Sequence, residues 1–155
     1  MISPELLRRY PFFGHFSQTQ LASLAMIGEE VKLKDDQVVL EKGKPAQALY
    51  FLLEGGIDLY YTVKEDTRQK EFKEILVGQV NVGEPFGISA LIEPNVLTAS
   101  VRSNGASLAL QFDVKALKAA MKSDPGLELV LVREMARAAI QRLDATRVLL
   151  AAAWS

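Results

Sequence analysis

A chain of 155 residues, 49% hydrophobic and 24% charged, is long enough for one domain with a substantial core. Its 18 basic and 19 acidic residues nearly cancel and are interleaved, which argues against the clustered basic face of a nucleic-acid reader. With no cysteine and a single histidine, His15, disulfides, thiolate metal sites, thiol nucleophiles and an imidazole-built metal centre are excluded.

The start, Met1-Ile2-Ser3-Pro4-Glu5, has neither the basic flank nor the apolar run of a signal peptide. No stretch of about 18 apolar residues is present to span a bilayer. The expected location is cytoplasmic, with no membrane partner. Residues 1–155 are expected to form a single domain in three regions.

The first region, 3–28, is predicted helical. Ser3 before Pro4 is an N-cap followed by proline at the first helical position, where the missing N–H costs nothing. The segment Pro11-Phe12-Phe13-Gly14-His15-Phe16 is a tight connection, with His15 a structural or surface residue. Ser17 and Gln20 form a capping box, opening a helix whose Leu21, Leu24, Ala25 and Ile27 share one side.

The second region, 29–112, is β-rich, with turn chemistry at steady intervals. Strands are predicted at Glu30–Leu33, Val38–Leu40, Leu49–Leu53, Ile57–Val63, Phe72–Val77, Leu97–Val101 and Ala106–Phe112, with Lys64 to Lys70 a charged hairpin tip. About eight short strands without intervening helices describe a roll or barrel, not a βαβ sheet.

The third region, 113–153, returns to helical period. Asp113 caps a helix from Val114 to Lys122. Asp124-Pro125 opens another that runs about 29 residues, roughly 43 Å at the α-helical rise. Leu129, Val132, Ala136, Ala139, Leu143, Thr146 and Leu150 recur at alternating spacings of three and four, the seam of a coiled coil. Leu127, Leu131, Met135 and Ala138 form a second stripe suited to packing on the roll. Two apolar faces imply two partners, the chain's own roll and a second copy in a homodimer; the alternative is one wide stripe within a monomer.

In chain order, several segments resemble the cyclic-nucleotide-binding domain family. These are Pro11-Phe12-Phe13 with Ser17–Leu21, Val38–Ala46 with Gly43, Leu49–Gly56, Gly83-Glu84-Pro85-Phe86-Gly87, and Thr98-Ala99-Ser100-Val101. The resemblance implies a mainly β fold with flanking helices. It would be a jelly-roll-like β-roll (a double-stranded β-helix) with N-terminal helices and a long C-terminal helix, ligand lying between roll and helix. The family's phosphate-binding cassette reads Phe-Gly-Glu-(Leu/Ile)-Ala-Leu, then Pro, then Arg-x-Ala-(Ser/Thr)-Val. Here it reads Phe86-Gly87-Ile88-Ser89-Ala90-Leu91, then Pro94, then Leu97-Thr98-Ala99-Ser100-Val101. The resemblance implies that the glutamate meeting the ribose hydroxyl is replaced by Ile88 and the arginine meeting the phosphate by Leu97. Asp36 stands where the family commonly has glycine, a change aspartate tolerates in a turn.

The candidate pocket is therefore Phe86, Gly87, Ile88, Ser89, Ala90, Leu97, Thr98, Ala99 and Ser100, with Arg142 of the long helix able in principle to bend over it. Remaining donors are the amides around Gly87–Ala90, the hydroxyls of Ser89 and Ser100, and a short helix N-terminus. Arg102, an odd number of positions past Leu97, should point to the opposite face of its strand. No cation in the spacing replaces the missing arginine, so cyclic nucleotide is not expected to bind in the usual way. Three alternatives stay open: a cyclic AMP or cyclic GMP sensor with a rearranged pocket, a different and less polar ligand, and a protein-interaction module whose pocket is filled by its own side chains.

An enzyme on a cupin-like barrel would need several metal-binding histidines, and His15 lies outside the strands. Asp35-Asp36 sit in a turn without a companion base. No catalytic residue, no metal and no cofactor is expected, beyond a possible small-molecule ligand. The resemblance further implies that a transcriptional member would continue into a helix-turn-helix. The chain stops at Trp154-Ser155, so a separate effector protein is the expected partner and nucleic acid is not.

Overall fold

Local capping sets the N-terminal elements. The computed structural model describes residues 1–64 and 72–155. Ser3 accepts from the Glu5 amide to open α1 (Pro4–Arg8), and a 3-10 turn follows at Pro11–Phe13. Ser17 and Gln20 close a reciprocal capping box on α2 (Gln18–Ile27). The expected charged tip between the fourth and fifth strands, from residue 65 on, lies outside the described residues.

Among the described residues eight strands follow: β1 (Glu29–Leu33), β2 (Val38–Leu40), β3 (Ala48–Glu54), β4 (Ile57–Lys64), β5 (Phe72–Val80), β6 (Pro85–Phe86), β7 (Ser100–Ser103) and β8 (Ser107–Asp113). They form two antiparallel four-stranded sheets, ordered β1-β8-β3-β6 and β2-β7-β4-β5. The turn from β3 to β4 needs Gly55, at φ 92°, because a Cβ there would lie 2.2 Å from the Ser107 hydroxyl oxygen. Asp36 takes φ 59°, the left-handed turn conformation in which aspartate is tolerated.

Two strand expectations need correction. Leu97–Ala99 do not join a ladder; pairing begins at Ser100, because Leu97 is instead tied by backbone bonds to Gly43 (2.8 Å) and Lys44 (2.9 Å). The two-residue strand β6 was not foreseen, since it exists through nonlocal pairing of Tyr50 with Phe86 and Phe51 with Pro85.

Strand β3 is buried on both faces, which explains its unbroken apolar run. Leu49 and Phe51, two apart, meet Phe12, Phe13, Leu24, Leu131 and Met135 around a void of about 10 Å³, too small for more than one water. Phe51 centres an aromatic cluster, 4.8 Å from the Phe13 ring, 5.1 Å from Tyr10 and 5.4 Å from Phe12. The N-terminal helices are thus clamped to the first sheet by rings rather than by covalent links.

Asp113 caps α3 (Val114–Ser123), and Asp124 caps α4 (Pro125–Ala153) by accepting from the Gly126 and Leu127 amides. The two faces of α4 separate as their periods require. Leu127, Leu131, Met135 and Ala138 are buried against the domain, while Leu129, Val132, Leu143 and Leu150 are exposed. Beyond Arg142 every residue of α4 is exposed, including Val148, Leu149 and Trp154. Among the described residues no helix is long and apolar enough to cross a membrane.

Candidate functional site

A cleft of about 400 Å³ opens between the second sheet and α4. Its floor is apolar: Leu40 of β2, Leu59 of β4 and Val101 of β7 point inward. One rim is the turn Gly87–Ser89, a second is the bend Leu97–Ala99, and the third is Ala139, Arg142, Leu143 and Thr146 of α4. The cleft is open, so its own side chains do not fill it. Its size falls within the range usual for small-molecule sites.

The rims are rigidly held. Gly87 has φ 72°, and a Cβ there would approach the Ala48 carbonyl oxygen to 3.2 Å and Leu40 to 3.3 Å. The polypeptide therefore passes close to the floor only because glycine is present. A short 3-10 turn, Ile88–Leu91, follows. The Asn95 side-chain amide donates to the carbonyls of Ser89 (3.0 Å), Ala90 (3.0 Å) and Ile92 (3.1 Å), knitting the loop into one unit. Leu97, 6% exposed, presents an aliphatic side chain to the cleft from its pinned backbone.

Of the ten pocket residues expected from the sequence, the structure gathers Gly87, Ile88, Ser89, Leu97, Thr98, Ala99 and Arg142 around the cleft. The other three lie elsewhere. Phe86 is fully buried and stacked on Tyr50 at 5.0 Å, and Ala90 is fully buried in the core. Ser100 faces the outside of the sheet, where its hydroxyl accepts from the Lys42 amide at 3.0 Å. Strand alternation explains it: Val101 points in, so Ser100 and Arg102 point out. The helix after Gly87 is a four-residue 3-10 turn, Ile88–Leu91.

Arg142, named from the sequence as able in principle to bend over the pocket, is among the residues lining the cleft. The buried stripe Leu127, Leu131, Met135, Ala138 advances by three and four, and the next step is 142. Arg142 is accordingly half-buried, with its guanidinium Nη2 donating to the Pro85 carbonyl at 2.6 Å. Burial lowers its pKa from the usual arginine value, and the nearby Glu84 carboxylate acts in the opposite direction. The sequence carried the signal for the position but not for the Pro85 partner. Asn95 was missed altogether; no periodicity marks a loop side chain that bonds three carbonyls.

Three residues expected in the helix–helix seam, Ala139, Leu143 and Thr146, also line the cleft. They remain exposed, so the ligand rim and the candidate partner face share one stretch of α4. Elsewhere, a groove of about 600 Å³ crosses the outer face of the second sheet. Its cations are already engaged: Lys42 sits 3.6 Å over the Tyr61 ring, and Arg102 pairs with Glu74 at 2.9 Å. His15 bridges to α4 through Glu134 at 3.0 Å; Glu134 is buried and is also 3.4 Å from Arg137. That contact ties the N-terminal connection to the helix. Among the described residues no cluster of histidine and carboxylate groups could hold a metal ion.

Comparison with known proteins places these features in one family. The family model described as the cyclic nucleotide-binding domain matches residues 30–124. A Geobacter metallireducens GS-15 protein named for cyclic nucleotide binding is 31% identical, with a TM-score of 0.79 over 92% of this chain and 99% of that one. The sensor domain of the Pseudomonas aeruginosa transcriptional regulator DNR shares the fold at 21% identity, with a TM-score of 0.66 over 87% of this chain and 91% of that one. A Rhodopseudomonas palustris protein named as a potassium channel is 21% identical over 127 residues, which is 82% of this chain but only 29% of that protein's length. The glycine-held cassette, the two-sheet roll, the long helix and these matches together make this chain a member of the cyclic nucleotide-binding domain family.

Proposed function

We propose that the chain is a non-catalytic regulatory domain that senses a small ligand in the cleft between the roll and α4, and that it does not hold cyclic nucleotide in its family's usual way. The observation that carries this is the pair Ile88 and Leu97 on the cleft rims, at the positions where the family resemblance implies glutamate and arginine. Losing one partner of a buried charge pair costs about 2–5 kcal/mol, a weakening of roughly 30- to 3,000-fold. The ribose hydroxyls would meet isoleucine, which accepts nothing.

A thermal-shift titration tests this. Ligand at about 100 times its Kd stabilises by about 2.7 kcal/mol, or about 5–10 °C in a chain of this length. With cyclic AMP or cyclic GMP at about 1 mM, the expected shift is below about 2 °C, since millimolar affinity stabilises by less than about 0.5 kcal/mol. A shift of several degrees with either nucleotide contradicts the proposal. It would favour the second reading, a rearranged cyclic-nucleotide pocket, for which Arg142 in the cleft is the supporting observation.

The output runs through α4. The exposed Leu129, Val132, Leu143 and Leu150 support a homodimer, with a separate effector protein downstream. Because the partner face shares Ala139, Leu143 and Thr146 with the ligand rim, ligand occupancy and helix pairing are coupled. Sedimentation should find a dimer at about 0.1 mM that Val132→Glu with Leu150→Glu converts to a folded monomer. A wild-type monomer at that concentration contradicts the seam.

A further inference from the structure

We propose that the cleft is a receptor for a small apolar monoanion, a carboxylate on a hydrocarbon body, with Arg142 as its counter-charge. The assignment rests on the ligand-sensing role above and gives that role a ligand class.

The guanidinium has five N–H donors, and among the described residues it makes a single hydrogen bond, to the Pro85 carbonyl. No carboxylate lies within ion-pair distance of it among the described residues. The Glu84 carboxylate acts on it only from beyond ion-pair distance, so the cost of withdrawing this cation from water is offset in part and a bound anion would offset more of it. The planar fork of a guanidinium matches the two oxygens of a carboxylate. Arg142, one of the residues lining the open cleft, therefore keeps N–H donors that an anion bound there could use.

Most of the rest of that wall selects the body of the ligand, the Ser89 and Thr98 hydroxyls on the rims being the polar exceptions. Leu40, Leu59, Ile88, Leu97, Val101 and Leu143 offer aliphatic surface and no polar partner. The Thr146 hydroxyl already donates to the Arg142 carbonyl at 2.9 Å. A ligand rich in hydroxyls or ring nitrogens would leave most of those groups unpaired against leucine and isoleucine, beyond what Ser89 and Thr98 could meet. A hydrocarbon carrying one negative head satisfies both parts of the cleft.

Calorimetric titration of the full chain with octanoate and phenylacetate, and with octan-1-ol as the uncharged control, tests the assignment. At least one carboxylate should bind about tenfold or more tighter than the alcohol, the gain expected of a charge-assisted hydrogen bond. Arg142→Met should erase that preference and Arg142→Lys should keep part of it, with both variants melting as cooperatively as wild type. Equal affinity for carboxylate and alcohol, or a preference that survives Arg142→Met, overturns the assignment; so does failure of both carboxylates to bind. Failure here is distinct from failure of the sensor proposal. If no carboxylate binds and wild type also ignores cyclic AMP, only the ligand class falls; if wild type binds cyclic AMP tightly, the non-nucleotide reading of the cleft falls as well.

Discussion

Replacing Ile88 with glutamate and Leu97 with arginine is expected to raise affinity for cyclic AMP from millimolar or weaker to at least about 30-fold tighter, as judged by calorimetry. The cleft is already open, and its rims are set by Gly87, Asn95 and the Leu97 backbone rather than by the two side chains to be changed. A glutamate at 88 would supply the acceptor for a ribose hydroxyl. An arginine at 97, rooted at the buried end of the bend, can lay its methylenes along Leu40 and Val101 and keep its head in the cleft. Ile88→Glu alone should gain little, because the phosphate would still lack a cassette counter-charge. A double variant that folds and still ignores cyclic AMP would mean that the cleft no longer has the shape of a nucleotide site.

The largest stability effect should come from Phe51→Ala, expected to cost about 3–5 kcal/mol in urea unfolding, or about 6–20 °C in Tm. Phe51 is 1% exposed and packs against Tyr10, Phe12 and Phe13, so its removal empties the junction of roll, N-terminal turn and long helix at once. The surroundings are already close-packed, which leaves no easy collapse into the hole. Val38→Ala, on an exposed strand position, should change stability by less than about 0.5 kcal/mol and serves as the comparison. Similar losses for the two would show that the aromatic cluster is not the clamp described.

What the sequence made legible follows the range of the interactions concerned. Ser3-Pro4, the Ser17–Gln20 box, Asp113 and Asp124 act within four residues of themselves, and the helices begin where they say. The stripe Leu127, Leu131, Met135, Ala138 gave the buried face of α4, and one further step of that period reaches Arg142. Nothing local discloses the Pro85 carbonyl that receives its guanidinium, 57 residues away. Strand β6 and the Leu97 bend failed for the same reason, since each is made by pairing with a distant segment. Ser100 was assigned to the pocket through the motif alone, and the alternation about Val101 overrules it. Glu134 carries no local signal either: a charge on a helix is ordinarily solvated, yet this one is buried, in contact with His15 and Arg137.

The most direct measurement is an amide NMR titration of the wild-type chain with cyclic AMP to about 1 mM, following Gly87, Ser89, Thr98 and Ala99 on the cleft rims. These four signals are expected to move at most slightly and without approaching saturation, because no cassette side chain is present to bring the phosphate and ribose tightly against them. Saturating displacement of the same signals with a micromolar midpoint would contradict the account at its centre.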